Sequence, residues 1–354
     1  MVTQRFRPFF TCFPNSVLSI RSSVCCLLNS VFFFLTSVFF LLTSSLFSQE
    51  LFPTSEPAST VPKGVLGVRL FNESYKEVSQ IRNATTLRFM YGLFSKLTVM
   101  ANFTETNHHS TNFPPGLAYH THNGNQSIYS TGNFQRGLPY PYLFSGIDLY
   151  AKYRFLTRDG MQKHVRMSVY GEWSNVSVAH DEAEPNLLED TRGYGGGLIV
   201  TTLYNHLAVS FTTGFILPGK YEGFSPDIYG GPLVPTGLTY GKAWKYDLSF
   251  GYLLFPAHYT NYKQANLNVY LEFKGVSYEE AQVIQYGFKN LPIHTPLLEA
   301  GNYVDVYPGI QTILKSNLRI DLSVGLPLYN QSYAHFYPVY MLGIQRYFYL
   351  KKKP

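Results

Sequence analysis

The sequence is poor in cysteine, in charge and in long apolar runs. All 3 cysteines, Cys12, Cys25 and Cys26, lie near the N-terminus, so the remaining chain can form neither a disulfide framework nor a thiolate metal site. Charged residues make up only 14% of the chain, against roughly 25% in average soluble proteins. Past residue 60, no apolar run reaches the length of a transmembrane helix, which needs about 20 residues.

The N-terminal part of the chain, residues 1–48, differs from the rest. Three arginines and no acidic residue precede Glu50, and residues 24–47 form an apolar run that ends among serines. A basic start, an apolar middle and small residues near the end are the features of an export signal. We therefore predict a signal peptide over residues 1–48, with an uncleaved anchor helix as the alternative. Residues 49–63 are predicted to form a periplasmic N-terminal segment.

The charge balance argues against a nucleic-acid partner. Of the 28 basic residues, three lie in the signal, which leaves 25 against 22 acidic residues, and so small an excess is no nucleic-acid footprint. The basic tail at residues 351–354 is interpreted as solvated. Aromatic residues are abundant, with 29 Tyr and 28 Phe, which suits a surface that meets lipid headgroups and acyl chains.

Past the signal, apolar and polar residues alternate in pieces of about ten residues. The stretch NLRIDLSVGLPL at 317–328 places Leu318, Ile320 and Leu322 on one side and Arg319 and Asp321 on the other. A period of two predicts a β-strand whose faces meet different environments. About twelve such segments lie near 64–73, 81–92, 96–106, 143–157, 162–179, 192–203, 206–217, 243–254, 264–276, 301–314, 317–328 and 337–350.

Short and long connections alternate between these segments. The short ones lie at 92–96, 157–162, 204–206 and 315–317, and the long ones cover roughly 107–142, 180–191, 218–242 and 277–300. Tight turns on one rim and long loops on the other are typical of outer-membrane barrels. We therefore predict an all-β fold, a transmembrane antiparallel up-and-down β-barrel of about twelve strands over residues 64–350. A soluble β-sandwich is the alternative.

The C-terminal part resembles a known family. The stretch VYPGIQTILKSNLRIDLSVGLPLYNQ and the following PVYMLGIQRYFYL, within residues 304–350, are similar to the close of barrels in the transporter family linked to the meta pathway of phenol degradation. The resemblance implies the cell outer membrane of a Gram-negative bacterium, with outer-membrane lipid around the barrel. It also implies insertion by the barrel-assembly machinery and passage of small molecules, aromatic ones included.

Charged residues of both signs are predicted on the inner face of the barrel. Two readings stay open: cross-strand ion pairs fill the interior, or a constriction of mixed charge selects solutes. Arg69 and Arg88 belong to this set. The residues predicted to line the pore are Asp148, Lys152, Arg154, Arg166, Glu172, Lys245, Asp247, Glu272, Lys274, Arg319 and Asp321.

Two loop sequences hold groups that could bind a metal ion. Four histidines in the first long loop, His108, His109, His120 and His122, are candidate ligands for Zn or Cu, although their spacing matches no recognised site. The acidic stretch at 181–190 offers oxygen ligands of the kind that Ca²⁺ takes. In both loops a solvated polar surface is the alternative, and we predict no resident metal and no cofactor.

Catalysis has little support in the sequence. His206 near Ser210 and His164 near Ser168 could be cited for an outer-membrane hydrolase, but no Gly-x-Ser-x-Gly turn accompanies them. The sequence predicts a protein that is not an enzyme and has no catalytic residue. Its predicted function is a porin-like passive channel or transporter for small molecules, hydrophobic or aromatic ones among them. The alternative is a structural or surface-binding barrel with a closed lumen.

Overall fold

Twelve strands close into a barrel in the computed structural model, which describes residues 52–77, 80–108, 140–160, 163–177, 179, 183–227, 232–256, 264–287, 298–332 and 338–350. The barrel strands are β1 (Val65–Glu77), β2 (Gln80–Phe94), β3 (Leu97–Thr106), β4 (Leu143–Asp159), β5 (Lys163–Val176), β6 (Gly193–Tyr204), β7 (Leu207–Pro218), β10 (Ala243–Phe255), β11 (Ala265–Tyr278), β13 (Gly301–Leu314), β14 (Leu318–Asn330) and β15 (Val339–Tyr349). Three further strands, β8 (Lys220–Pro226), β9 (Leu233–Thr239) and β12 (Gln282–Gln285), form a separate sheet. Within these described ranges no helix is long and apolar enough to span a bilayer.

All neighbouring barrel strands are antiparallel, and the pairing of β15 with β1 closes the ring. In the chain, β8 and β9 lie between β7 and β10, and β12 lies between β11 and β13, but none of the three joins the wall. In the wall, β7 therefore pairs with β10, and β11 pairs with β13. Closure removes the free edges of the sheet, so the wall's backbone groups can be paired where water is absent. The predicted all-β, twelve-stranded antiparallel barrel is confirmed, and the alternative β-sandwich is not the fold.

The two faces of the wall have opposite chemistry. In β14, Arg319 and Asp321 are 3% and 2% exposed, whereas Ile320 and Leu322 are 37% and 50% exposed. The outward positions of the other strands likewise carry exposed aliphatic and aromatic side chains. This arrangement fits a bilayer, because a Lys or Arg turned toward its midplane costs roughly 2–4 kcal/mol.

Tight turns close one rim of the barrel, which we call the short-turn end. Asn205 joins β6 to β7 with φ 52°, and Lys315 and Ser316 join β13 to β14 with φ 51° and 53°. Asparagine visits this left-handed conformation more readily than most residues. The opposite rim, from which the long connections leave, is called the long-loop end.

A cap covers part of the long-loop end. It consists of the sheet β8–β9–β12 and the segment 183–192, and its apolar core joins Leu187 to Tyr221 of β8 and Leu238 of β9. The sequence pattern predicts loops here instead of strands, because the 7-residue β8 and β9 both contain Gly and Pro. The same core includes the barrel-strand residues Ile216, Ala243, Tyr278 and Tyr303.

Candidate functional site

The eleven residues predicted to line a pore all occupy inward positions of the wall. Asp148, Lys152 and Arg154 lie on β4, Arg166 and Glu172 on β5, Lys245 and Asp247 on β10, Glu272 and Lys274 on β11, and Arg319 and Asp321 on β14. That solute passes along them stays a prediction. Their contacts divide the interior into a short-turn region, a middle region and the region below the cap.

The short-turn region is occupied by the chain itself. Residues 52–61, which we call the plug segment, lie inside the barrel and belong to none of its strands. The backbone N–H groups of Thr54 and Ser55 donate to the carboxylate of Glu272 at 3.0 and 2.9 Å. Ser249 Oγ donates to Ser55 Oγ at 2.9 Å. Glu272, which is 0% exposed, therefore holds the plug segment to β10 and β11.

Two arginines hold the start of the plug segment. Arg319 Nη2 donates to the carbonyl of Phe52 at 2.7 Å, and Arg69 Nη2 donates to the carbonyl of Pro53. Both guanidinium groups also contact Asp321, Arg319 through Nε at 2.8 Å and Arg69 through Nη2 at 3.2 Å. A single carboxylate thus orients two donors, which is why these buried charges are not left unpaired.

The middle of the plug segment carries the acid Glu56. Its carboxylate receives Arg88 Nη1 at 2.6 Å and Lys152 Nζ at 3.1 Å. Burial acts to raise the pKa of Glu56, but Lys152 and Arg88 outweigh it and lower that pKa from its ordinary value of 4.5 to about 2. Glu56 is therefore an anion at any physiological pH, and it pairs with two inward cations.

The end of the plug segment crosses toward β3, β5 and β6. Ala58 N donates to Thr201 Oγ1 at 2.8 Å, while Ser168 Oγ donates to the Ala58 carbonyl at 2.6 Å. Val61 N then donates to Thr98 Oγ1 at 2.8 Å. Polar groups from opposite sides of the wall therefore satisfy the backbone of the plug segment across the whole lumen.

The predicted periplasmic segment at 49–63 is thus described from residue 52 onward, and residues 52–61 lie against the inner wall at the short-turn end. Assignment of that end to the periplasm stays a prediction. No periodic signal in the sequence points to this contact, because the segment interacts through backbone groups and single side chains such as Glu56.

The middle region of the lumen combines ion pairs with tyrosine rings. Lys245 Nζ donates to Glu172 and lies 5.3 Å from the centre of the Tyr170 ring. Tyr170 stacks on Tyr150 with ring centres 5.2 Å apart. On the other side Lys274 Nζ lies 5.4 Å from the centre of the Tyr307 ring. Ion pairs and aromatic faces therefore share the inner wall here, and selection of solutes by these charges stays a prediction.

Glycines make room for these inward side chains. A Cβ on Gly195 would lie 2.4 Å from Glu172 Oε1, and a Cβ on Gly251 would lie 2.6 Å from Tyr270 Cε1 and 3.3 Å from Phe52 Cε1. Gly195 belongs to the sequence GYGGGL at 193–198, and glycine in a strand often marks a close approach of this kind. The contact with Glu172 therefore accounts for one glycine of that run.

The region below the cap is bounded by segment 183–192. The Tyr303 hydroxyl donates to Glu184, while Ala183 and Leu187 belong to the apolar core of the cap. The segment leads into β6 and contacts β13, so it extends across the long-loop end. The plug segment and the cap lie at opposite ends of the same lumen.

The candidate catalytic pairs make other contacts. Ser210 Oγ is hydrogen bonded to Thr201 Oγ1 at 2.8 Å, and Ser168 Oγ donates to Ala58. The His164 ring lies 2.9 Å from Asp159 at the short-turn end. Both serine hydroxyls thus have structural partners.

Of the candidate metal ligands, His109, His120 and His122 lie outside the described residues. His108 is described, and its ring is close to Glu189 and Asp190. His108 comes from the histidine-rich loop, whereas Glu189 and Asp190 come from the acidic stretch. Each loop is recognisable in the sequence by itself, but nothing in the sequence indicates that the two meet.

No family model and no curated protein matches the chain. Among solved structures it is similar to an outer membrane channel from Pseudomonas putida F1, with 13% identity and a TM-score of 0.51 over 84% of this chain and 100% of that one. It also matches the NanC porin, with 9% identity and a TM-score of 0.39 over 79% and 98% of the chains. The Pseudomonas putida toluene transporter TodX follows, with 12% identity and a TM-score of 0.31 over 82% and 90%. The first likeness supports the fold, a closed β-barrel; the other two are too distant to add to it.

Proposed function

We propose that the protein is a passive channel for small molecules in the outer membrane of a Gram-negative bacterium. The observation that carries the proposal is a plug segment that crosses the lumen without joining the wall as a strand. Its polar contacts are hydrogen bonds and ion pairs to side chains, each worth about 0.5–1.5 kcal/mol or, for charged groups, about 1.5–3 kcal/mol. Phe52, Ala58 and Val61 add apolar contacts with the wall. The polar contacts can be exchanged for water, so we expect displacement of residues 52–61 to leave the wall intact and to open the short-turn end of the lumen.

The inner wall suggests the class of solute. Tyr150, Tyr170 and Tyr307 present ring faces beside the ion pairs of the middle region. Rings and cations attract aromatic solutes that also carry a polar group. This agrees with the resemblance of residues 304–350 to the transporter family linked to phenol degradation, and we propose that the chain belongs with that family. Barrel-assembly machinery is proposed to insert it.

A closed, structural barrel is the second candidate, and the two-ended closure favours it. The plug segment occupies the short-turn end of the lumen, and the cap covers part of the long-loop end. In the channel, the plug segment leaves the lumen to let solute pass, whereas in the closed barrel it stays in place. An enzymatic function is not proposed, since Ser168 and Ser210 hold structural contacts.

A disulfide lock separates the two candidates. Ser55 Oγ and Ser249 Oγ are 2.9 Å apart, and the chain has no cysteine after Cys26, so Ser55→Cys with Ser249→Cys can crosslink the plug segment to β10. We expect the reduced variant to conduct ions in planar bilayers and the oxidised variant to be silent. Ser55→Cys alone is the control and should conduct under both conditions.

Equal conductance of the oxidised and reduced double variants would overturn the proposal that the plug segment must leave. Absence of any current from the wild-type protein, with the reduced double variant silent as well, would favour the closed barrel. Mass spectrometry of the oxidised sample establishes that the crosslink has formed before the currents are compared.

A further inference from the structure

We infer that the long-loop end carries a binding site for a divalent transition-metal ion, formed by His108, Glu189 and Asp190. Each of the three side chains presents one ligand atom, and these atoms lie within 4.8 Å of one another. The three residues come from two connections that are well separated in the chain, one after β3 and one before β6. Their meeting is therefore a property of the fold and not of a local sequence motif.

The donor set selects the class of ion. One imidazole nitrogen with two carboxylate oxygens suits zinc and its neighbours, which accept nitrogen and oxygen ligands at about 2.0–2.2 Å. Ca²⁺ prefers six to eight oxygen ligands, and an imidazole is a poor substitute for one of them. In a tetrahedral zinc site the ligand atoms would lie about 3.4 Å apart, so small side-chain shifts complete the set, with water in the fourth position.

The surroundings orient the proposed ligands. Tyr75 of β1 contacts His108 Nε2 through its hydroxyl and packs against the imidazole edge to face, with ring centres 5.5 Å apart. A histidine ligand usually donates its second ring N–H to a fixed acceptor, and the Tyr75 oxygen beside Nε2 is placed to be that acceptor. His108 N also donates to Thr106 Oγ1 at 3.0 Å, which fixes the backbone.

Hydrogen bonds within segment 183–192 also position the two carboxylate ligands. Asp190 is only 3% exposed, and Thr191 Oγ1 donates to Asp190 Oδ1 at 3.3 Å. The backbone N–H groups of Glu189 and Asp190 donate to the Asn186 carbonyl at 3.4 and 3.1 Å. Arg82 Nη1 donates to the carbonyl of Asn107 at 3.2 Å and so supports the backbone just before His108.

A bound ion would fasten the cap to the wall. Glu189 and Asp190 belong to segment 183–192, which crosses the long-loop end, whereas His108 follows β3 and Tyr75 belongs to β1. The ion would thereby join the β3–β4 and β5–β6 connections, which are neighbours along the rim. The site is independent of the plug segment and of the proposed channel function.

Zinc binding by the full-length protein in detergent tests this inference. After treatment with EDTA, we expect isothermal titration with Zn²⁺ to give one site per chain that His108→Ala loses. Glu189→Gln combined with Asp190→Asn should also lose it. Tyr75→Phe should weaken binding roughly 10- to 100-fold, as removal of an orienting partner does. Retained barrel circular dichroism shows that each variant is folded.

Two controls address the other histidines. His164→Ala alters a second histidine–carboxylate pair, whose Asp159 also contacts Arg166 at 3.3 Å, and it should leave binding unchanged. Joint replacement of His109, His120 and His122 by alanine should also leave the site intact. The inference is wrong if that triple variant loses zinc while His108→Ala retains it, or if the wild-type protein binds no stoichiometric zinc.

Discussion

At the scale of single residues, the interior is organised around carboxylates that each serve several donors. Glu272 accepts two backbone N–H groups of the plug segment, Asp321 contacts two arginines, and Glu56 contacts an arginine and a lysine. The groups are buried, with Glu272 0% and Asp321 2% exposed, and an unpaired charge there would be costly. Because each anion is shared among several donors, the barrel can hold charged groups in its interior.

The first prediction concerns Glu56 and pH. Its pKa is lowered from 4.5 to about 2 in the folded protein, so its stabilising contribution is complete above about pH 4.5 and is lost as the pH falls toward 2. Glu56→Gln leaves Lys152 buried without its anion and should cost up to roughly 3 kcal/mol at pH 7. Thermal unfolding of both proteins in detergent should show a constant difference above pH 5 that shrinks below pH 4.5.

The control for this prediction is Glu222→Gln. Glu222 pairs with Lys220 at 2.8 Å, but this pair lies on the exposed sheet of the cap, where an ion pair contributes little. A difference between wild type and Glu56→Gln that persists undiminished at pH 2.5 would contradict the assignment of the effect to the charge on Glu56.

At the scale of elements, the sequence predicts the wall well and the closures poorly. Barrel strands such as β14 alternate because their faces meet lipid and a polar interior, and this difference determines the type of every second residue. The plug segment has no such constraint, since Thr54 and Ser55 use backbone groups to reach Glu272, which is distant in the chain. The cap strands escape prediction because short strands with Gly and Pro are supported by tertiary packing rather than by local pattern.

The second prediction concerns that packing. Leu187 is 3% exposed and lies in the core of the cap with Tyr221 and Leu238. Leu187→Ala removes buried apolar surface, and we expect it to destabilise the cap by roughly 2–5 kcal/mol. Because Arg192 is held over the Tyr221 ring at 3.9 Å, loosening the cap should speed tryptic cleavage after Arg192.

Leu233→Ala is the matched substitution for the cap, since Leu233 of β9 is 64% exposed. It should leave the rate of cleavage after Arg192 unchanged. Equal rates for wild type and Leu187→Ala would show that Leu187 does not hold the cap together. The barrel itself should resist trypsin in all three proteins, because its backbone is paired around the ring.

At the scale of the whole molecule, the closed sheet and the alternation of apolar and polar residues along its strands depend on each other. A closed sheet needs an environment for each of its two faces, and here one face is apolar while the other holds buried charge. In water, barrels with so large an apolar outer surface would associate with one another. The bilayer is therefore part of the folding problem, and the depth of an outward residue should decide what a charge there costs.

The last prediction tests that dependence on depth. Leu322 lies on the outer face of β14, paired with Leu342 of β15 and Ile310 of β13, whereas Leu328 lies further along β14, nearer the long-loop end. Leu322→Arg should cost roughly 2–4 kcal/mol of folding free energy in vesicles and Leu328→Arg only about 0–1 kcal/mol. Both side chains are well exposed on the wall, at 50% and 60%, so burial within the protein does not separate them. Reversible denaturant titration in lipid vesicles measures the two costs, and equal costs would mean that the outer face of β14 does not cross a bilayer in the proposed orientation.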